Sequence, residues 1–156
     1  MIVEAFAFPG NSYVSIFDQA LSGTAADLRS SMTDALASNS SVVSQRRDTL
    51  TERLRSALLK AGQDEVLVSQ DACDRALAVL WSLPASFPMP EILVEDDGEI
   101  ALDWDEGARR LLTVSIGDSP MLRYAALIGA EPTHGRVAYG GAMPRTLSLL
   151  LRRLYA

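Results

Sequence analysis

The sequence predicts an α+β fold: N-terminal helices packed on an antiparallel β-meander, closed by a C-terminal helix. Three observations predict it. Apolar residues recur with a period near 3.6 up to Leu83 and again after Pro144. From Glu91 to Tyr139 they alternate with a period of two, broken by glycine-containing turns. Pro84, Pro88 and Pro90 form a stiff connector where the period changes. A chain of 156 residues fits one domain of usual size, so 1–156 is read as a single domain. Its parts are 1–83, mainly helical, the meander at 91–139, and a closing helix at 143–155.

In chain order, Val3, Phe6 and Phe8 fit a first strand that ends at Pro9-Gly10, and residues 11–22 are ambiguous between strand and helix. Thr24-Ala25-Ala26-Asp27 resembles a capping box with Asp in place of Glu, and predicts a short helix over 25–37. Ser38-Asn39-Ser40-Ser41 is expected to break it as a flexible loop. A second helix follows from about Val43 to Ala61, with Leu50, Leu54, Ala57, Leu58 and Ala61 on one stripe and Gly62 as its stop. A third begins after Ser69, carries Asp71 in its first turn, is apolar over most of its circumference and ends before Pro84.

The first hairpin can be argued to its register. A two-residue turn at Asp97-Gly98 would place Glu95 opposite Ile100 on the apolar face. A three-residue loop, Asp96-Asp97-Gly98 with Gly98 left-handed, pairs Glu95 with Glu99 and Val94 with Ile100 instead. Ile92, Val94, Ile100, Leu102 and Trp104 then share one face. Burying each is worth about 1.5–3 kcal/mol, more than one exposed pair of like charges costs. The second turn falls at Glu106-Gly107. Leu112, Val114 and Ile116 point inward on the third strand, and Leu122, Tyr124, Ala126 and Ile128 on the fourth. Residues 129–135 read as a loop, and Val137 and Tyr139 as a short fifth strand. Leu147, Leu150, Leu151 and Leu154 are the buried stripe of the last helix.

The chemistry-bearing residues exclude more than they propose. Cys73 is the only cysteine, so no intrachain disulfide forms and a reducing, cytoplasmic compartment is expected. One Cys and one His argue strongly against a thiolate or imidazole zinc site within the chain. His134 reads as a surface-loop residue with no nucleophile beside it in sequence. Gly117-Asp118-Ser119 opens like a GDSL hydrolase signature, but Pro120 ends the likeness and the segment reads as a hairpin turn. Gly135 and Gly140-Gly141 lack phosphate-loop spacing, and the acids lack the offsets of an EF-hand. No catalytic residue, cofactor or metal is therefore expected. Nor is a membrane span, since no apolar run approaches the roughly 20 residues needed. The N-terminal residues carry Glu4 and no basic stretch, which argues against a secretory leader.

Charge is unevenly placed. The net charge is −6, which disfavours direct nucleic-acid binding. Residues 76–108 hold Glu91 and seven further acids: Glu95, Asp96, Asp97, Glu99, Asp103, Asp105 and Glu106, with no Lys or Arg among them. Those seven are the candidate partner-binding residues. Residues 109–156 hold seven arginines against Asp118 and Glu131.

The run Leu83-Pro84, Pro88-Met89-Pro90-Glu91-Ile92, Asp97-Gly98-Glu99-Ile100-Ala101-Leu102-Asp103-Trp104, then Leu112-Thr113-Val114-Ser115-Ile116 and Tyr124 resembles small uncharacterised bacterial proteins of genomic islands and phage-like regions. The likeness covers roughly residues 69–130 and implies a mobile-element origin, with no site residues to carry over. Together these readings favour a non-enzymatic protein-interaction module, such as an anti-CRISPR-like inhibitor whose acidic hairpin engages a basic groove built for phosphate. An antitoxin or accessory subunit bound to a cognate protein, and a small enzyme with a carboxylate site, are the alternatives. Homodimerisation is compatible with all three.

Overall fold

A computed structural model describes the backbone of residues 12–156 and side chains from residue 29 onward. The expected first strand at 1–8 lies outside the described residues. The chain forms two compact units, Met1–Val42 and Val43–Ala156.

Helix α1 runs without interruption over Ser12–Gln63. This settles one ambiguity and corrects two expectations. Residues 12–22 are helical, Thr24 lies within the helix rather than capping it, and Ser38-Asn39-Ser40-Ser41 is neither a loop nor a break. The stretch contains no Pro or Gly, and Ser or Asn costs only about half a kcal/mol more than Ala in a helix. A running helix needs no new nucleus to cross such a stretch, so weak formers slow it without stopping it. Every side chain from Arg29 to Val42 is exposed.

Within the second unit, α1 carries the expected stripe. Leu50, Leu54 and Ala61 are buried, with Ala57 and Leu58 packed beside them. Helix α2 covers Gln70–Ser82, with Ser69 as N-cap accepting from the Ala72 amide at 3.1 Å. Five strands follow: β1 Glu91–Val94, β2 Ile100–Asp105, β3 Arg110–Ile116, β4 Met121–Ile128 and β5 Glu131–Ala138. They form one antiparallel sheet in the order β1-β2-β3-β4-β5. Helix α3, Arg145–Leu154, closes the chain, and Leu147, Leu150, Leu151 and Leu154 are its buried side.

The first hairpin has the three-residue form. Val94 faces Ile100, Glu95 N–H donates to Glu99 O at 2.9 Å, and Gly98 takes φ 83°. Ile92, Ile100, Leu102, Trp104, Leu112, Val114, Ile116 and Leu122 lie buried on one face, against which α2 and α3 pack. Trp104 also anchors the proline connector, its indole N–H donating to Pro88 O at 3.0 Å.

The fifth strand is longer than expected. Residues 131–135, read as loop, continue β5 down to a two-residue turn at Gly129-Ala130 with Gly129 at φ 70°. Pro132 hid the strand from sequence reasoning. It is tolerated because β5 is an edge, where one missing N–H leaves no ladder bond unmade. His134 is thus an exposed strand residue opposite Ala125, not a loop residue. Gly135 admits the Tyr124 ring: a Cβ there would lie 2.7 Å from the phenolic oxygen.

Candidate functional site

The sheet has two unlike faces. Alternation sends Glu91, Leu93, Glu95, Glu99, Asp103 and Asp105 of β1–β2 to the face opposite the buried one, along with Arg123, His134 and Arg136 of β4–β5. Carboxylates therefore sit on one side of that face and the arginines on the other. Arg123 and Glu99 join the two sides in an ion pair that spans the intervening β3. Gly117 makes room for this pair: a Cβ there would meet the Glu99 carboxylate at 3.1–3.3 Å.

The seven acids do not form one cluster. Glu95, Asp97 and Glu99 do, with carboxylate oxygens within 4.8 Å of one another, and Asp96 shares their turn. The turn is held from two sides. Asp97 accepts the Glu99 amide at 3.1 Å, and Gly98 packs so tightly on the Leu67 carbonyl that a Cβ would fall 2.3 Å from it. The preceding segment is tied in turn to the β3–β4 connection, where Ser69 hydrogen-bonds Asp118 and Arg75 donates to Gly117 O. These contacts tie the acidic turn to the segment before α2 and, through it, to the β3–β4 connection.

Asp103 lies further along β2, beside Glu91 and Thr113, with one carboxylate oxygen buried and unpartnered among the described residues. Asp105 and Glu106 sit at the far end of β2. There Asp105 accepts the Gly107 amide at 2.7 Å, and Glu106 borders Tyr155. Their roles are local: one closes a turn in which Ala108 and Arg109 adopt positive φ, and the other raises the Tyr155 phenol above its ordinary value, after burial.

Within the cluster, burial pushes the Glu95 carboxyl above its usual range, and Asp97, Glu99 and Asp103 push it further. Arg123 acts in the opposite sense without cancelling them. The cluster thus holds like charges together against their repulsion, with Arg123 as the neighbouring cation among the described residues.

Other candidates carry less. Cys73 packs half-buried at the start of α2, where burial and Asp74 raise its thiol pKa and disfavour the reactive thiolate. His134 makes no hydrogen bond among the described residues. Sequence reasoning missed the pairings of Arg123 with Glu99 and of Ser69 with Asp118, partners 24 and 49 residues apart. It also missed an open trough of about 760 Å³ between α1 and β1, lined by Asp48, Glu52, Ser56, Ala57, Glu91 and Ile92 among others. Among the described residues no helix is long and apolar enough to cross a membrane. No protein-family model, curated protein or solved structure matches this chain.

Proposed function

We propose that this chain is a non-enzymatic protein-interaction module whose acidic turn engages a cationic groove of a nucleic-acid-handling protein, in the manner of an anti-CRISPR-like inhibitor from a mobile element. The observation that carries the reading is the Glu95–Asp97–Glu99 cluster, held at a turn braced by its own hydrogen bonds, with Arg123 as the contacting cation among the described residues. A phosphate-binding groove presents Arg and Lys at short spacing, and carboxylates brought into it offer similar acceptors. Repulsion already present in the free cluster would be relieved on binding. Charge complementarity of this kind sets on-rate and specificity more than bulk affinity.

The test compares the tagged wild type with Glu95→Gln/Asp96→Asn/Asp97→Asn/Glu99→Gln in pull-downs from a bacterial lysate, read by mass spectrometry. The reading expects one basic nucleic-acid-handling protein to be retained by the wild type and lost from the variant. Equal capture by both overturns it.

A specific observation favours a second reading, an antitoxin or accessory subunit that binds a cognate protein. Met32 and Leu36 lie 64 and 67 % exposed, one turn apart on α1. Unpartnered apolar residues at helical spacing fit a groove on another protein. Capture lost on Met32→Ser/Leu36→Ser, and kept in the quadruple acid variant, would select this reading.

A further inference from the structure

The two edges of the sheet are built differently. On β5, the outer strand carries Glu131, Pro132, Gly135 and Arg136, the residues that discourage further strand pairing. On β1 the sequence is Glu91-Ile92-Leu93-Val94, with no proline, glycine or inward charge to blunt it.

The phase of hydrogen bonding on β1 is fixed by Glu95, whose N–H points to β2 and donates to Glu99 O. Alternation in an antiparallel pair then turns the N–H and C=O of Ile92 and Val94 away from β2. The carbonyl of Pro90, in the same phase, accepts from the Arg53 guanidinium of α1 at 3.3 Å. The outward groups of β1 therefore face α1. No hydrogen bond reaches those of Ile92 or Val94 among the described residues.

Among the described residues, what they face is space. The trough of about 760 Å³ continues into a second of about 250 Å³, both bordered by Ala57, Lys60, Ile92 and Leu93. Volumes of roughly 300–1,000 Å³ are those of ligand sites. The helix wall is lowered here by Ser56, Ala57 and Ala61. The lining is acidic: Asp48, Glu52, Asp64, Glu91 and Asp96 stand against Lys60 and Arg53, and Arg53 is engaged by Pro90.

We infer that the β1 edge and this trough form a docking site for an extended, Lys/Arg-containing peptide segment of another protein, which adds to the sheet as a sixth strand. Backbone pairing with Ile92 and Val94 supplies register. One set of alternate side chains packs toward Ala57 and Ala61, and cationic residues meet the acidic rim. The inference does not rest on the acidic-turn reading: the trough lies along α1 and β1, and Glu52 belongs to the trough alone.

The test uses the full chain. Amide exchange is first followed by NMR in the free protein. Ile92 and Val94 are expected to exchange fast while Leu93, bonded to β2, is protected. Slow exchange at Ile92 and Val94 would mean that the chain itself or a second copy already covers the edge, and the proposal falls. Phage-displayed short linear peptides are then selected against the protein. Binders are expected to be rich in Lys or Arg, to protect the Ile92 and Val94 amides, and to weaken with Glu52→Lys. N-methylation of alternate residues along one peptide edge should cost about tenfold or more, since two backbone bonds are lost, and methylation of the other edge should cost little. Failure to select any binder, or binders indifferent to which edge is methylated, would overturn it. Glu52→Lys leaves the acidic turn intact, so loss of peptide binding there with unchanged lysate capture separates the two proposals.

Discussion

At the scale of single residues, two positions carry consequences that composition hides. Gly135 faces Tyr124 across β4 and β5, and a Cβ there would come within 2.7–3.2 Å of the phenol. Gly135→Ala should therefore lose about 1–3 kcal/mol in urea denaturation, the usual cost of overpacking. Because the phenolic oxygen is the closest atom, adding Tyr124→Phe should recover part of that loss; a double variant no better than the sum of the singles would refute the contact. Glu95 has a folded-state pKa above its ordinary value, first through burial and then through Asp97 and Glu99. An acid with a raised folded pKa binds more protons folded than unfolded, so its contribution falls as pH rises from the ordinary carboxylate range through the folded value. Glu95→Gln should then raise the melting temperature at pH 7, by about 0.4–4 °C if the relieved cross-strand repulsion is about 0.2–1 kcal/mol. The gain should vanish near pH 3, where both states are protonated. A gain that persists in acid would assign the effect to packing instead.

At the scale of elements, what was legible in the sequence depended on how local the deciding physics is. The register of the β1–β2 hairpin could be argued because only one register put Ile92, Val94, Ile100, Leu102 and Trp104 on a common face and Gly98 at a left-handed position. The Ser69 cap of α2 and the leucine stripe of α3 were legible for the same reason. The continuity of α1 was not. Ser38-Asn39-Ser40-Ser41 looks like a loop by composition, but helix formation is cooperative and the penalty of each residue is small. Replacing all four with Ala should slow amide exchange across 38–45, since each change favours helix by about half a kcal/mol. The melting of the Val43–Ala156 core should not move, because these side chains are exposed. Faster exchange in the Ala variant would show that the stretch is not helical in solution. The candidate site was half legible. Its carboxylates stand out as a run of acids, but the separation of Asp105 and Glu106 from Glu95, Asp97 and Glu99, and the reach of Arg123 over β3, depend on a sheet register set by contacts distant in sequence.

At the scale of the molecule, the uneven charge of the chain becomes a lateral polarity of one sheet face. The acid-rich segment 76–108 supplies β1 and β2, and the arginine-rich segment supplies β3 to β5 and α3. The ion pair of Arg123 and Glu99 cannot balance this, since its side chains are 47 and 24 % exposed and such pairs contribute about 0–1 kcal/mol. The dominant exposed interaction on the acidic side is then repulsion within the Glu95–Asp97–Glu99 cluster, added to a net charge of −6. Repulsion between exposed charges is screened once the Debye length falls to about 10 Å, near 0.1 M salt. Raising NaCl from roughly 0.02 to 0.3 M, across that length, should accordingly stabilise the wild type, although the same salt weakens Arg123–Glu99. Thermal melts of wild type and Glu95→Gln/Asp96→Asn/Asp97→Asn/Glu99→Gln across this range decide the sign. If repulsion dominates, the wild type gains with salt and the quadruple variant, already relieved, gains less. If the wild type loses stability with salt, attraction across the face outweighs repulsion within the turn, and the cluster is not the strained anionic site that the proposed function requires.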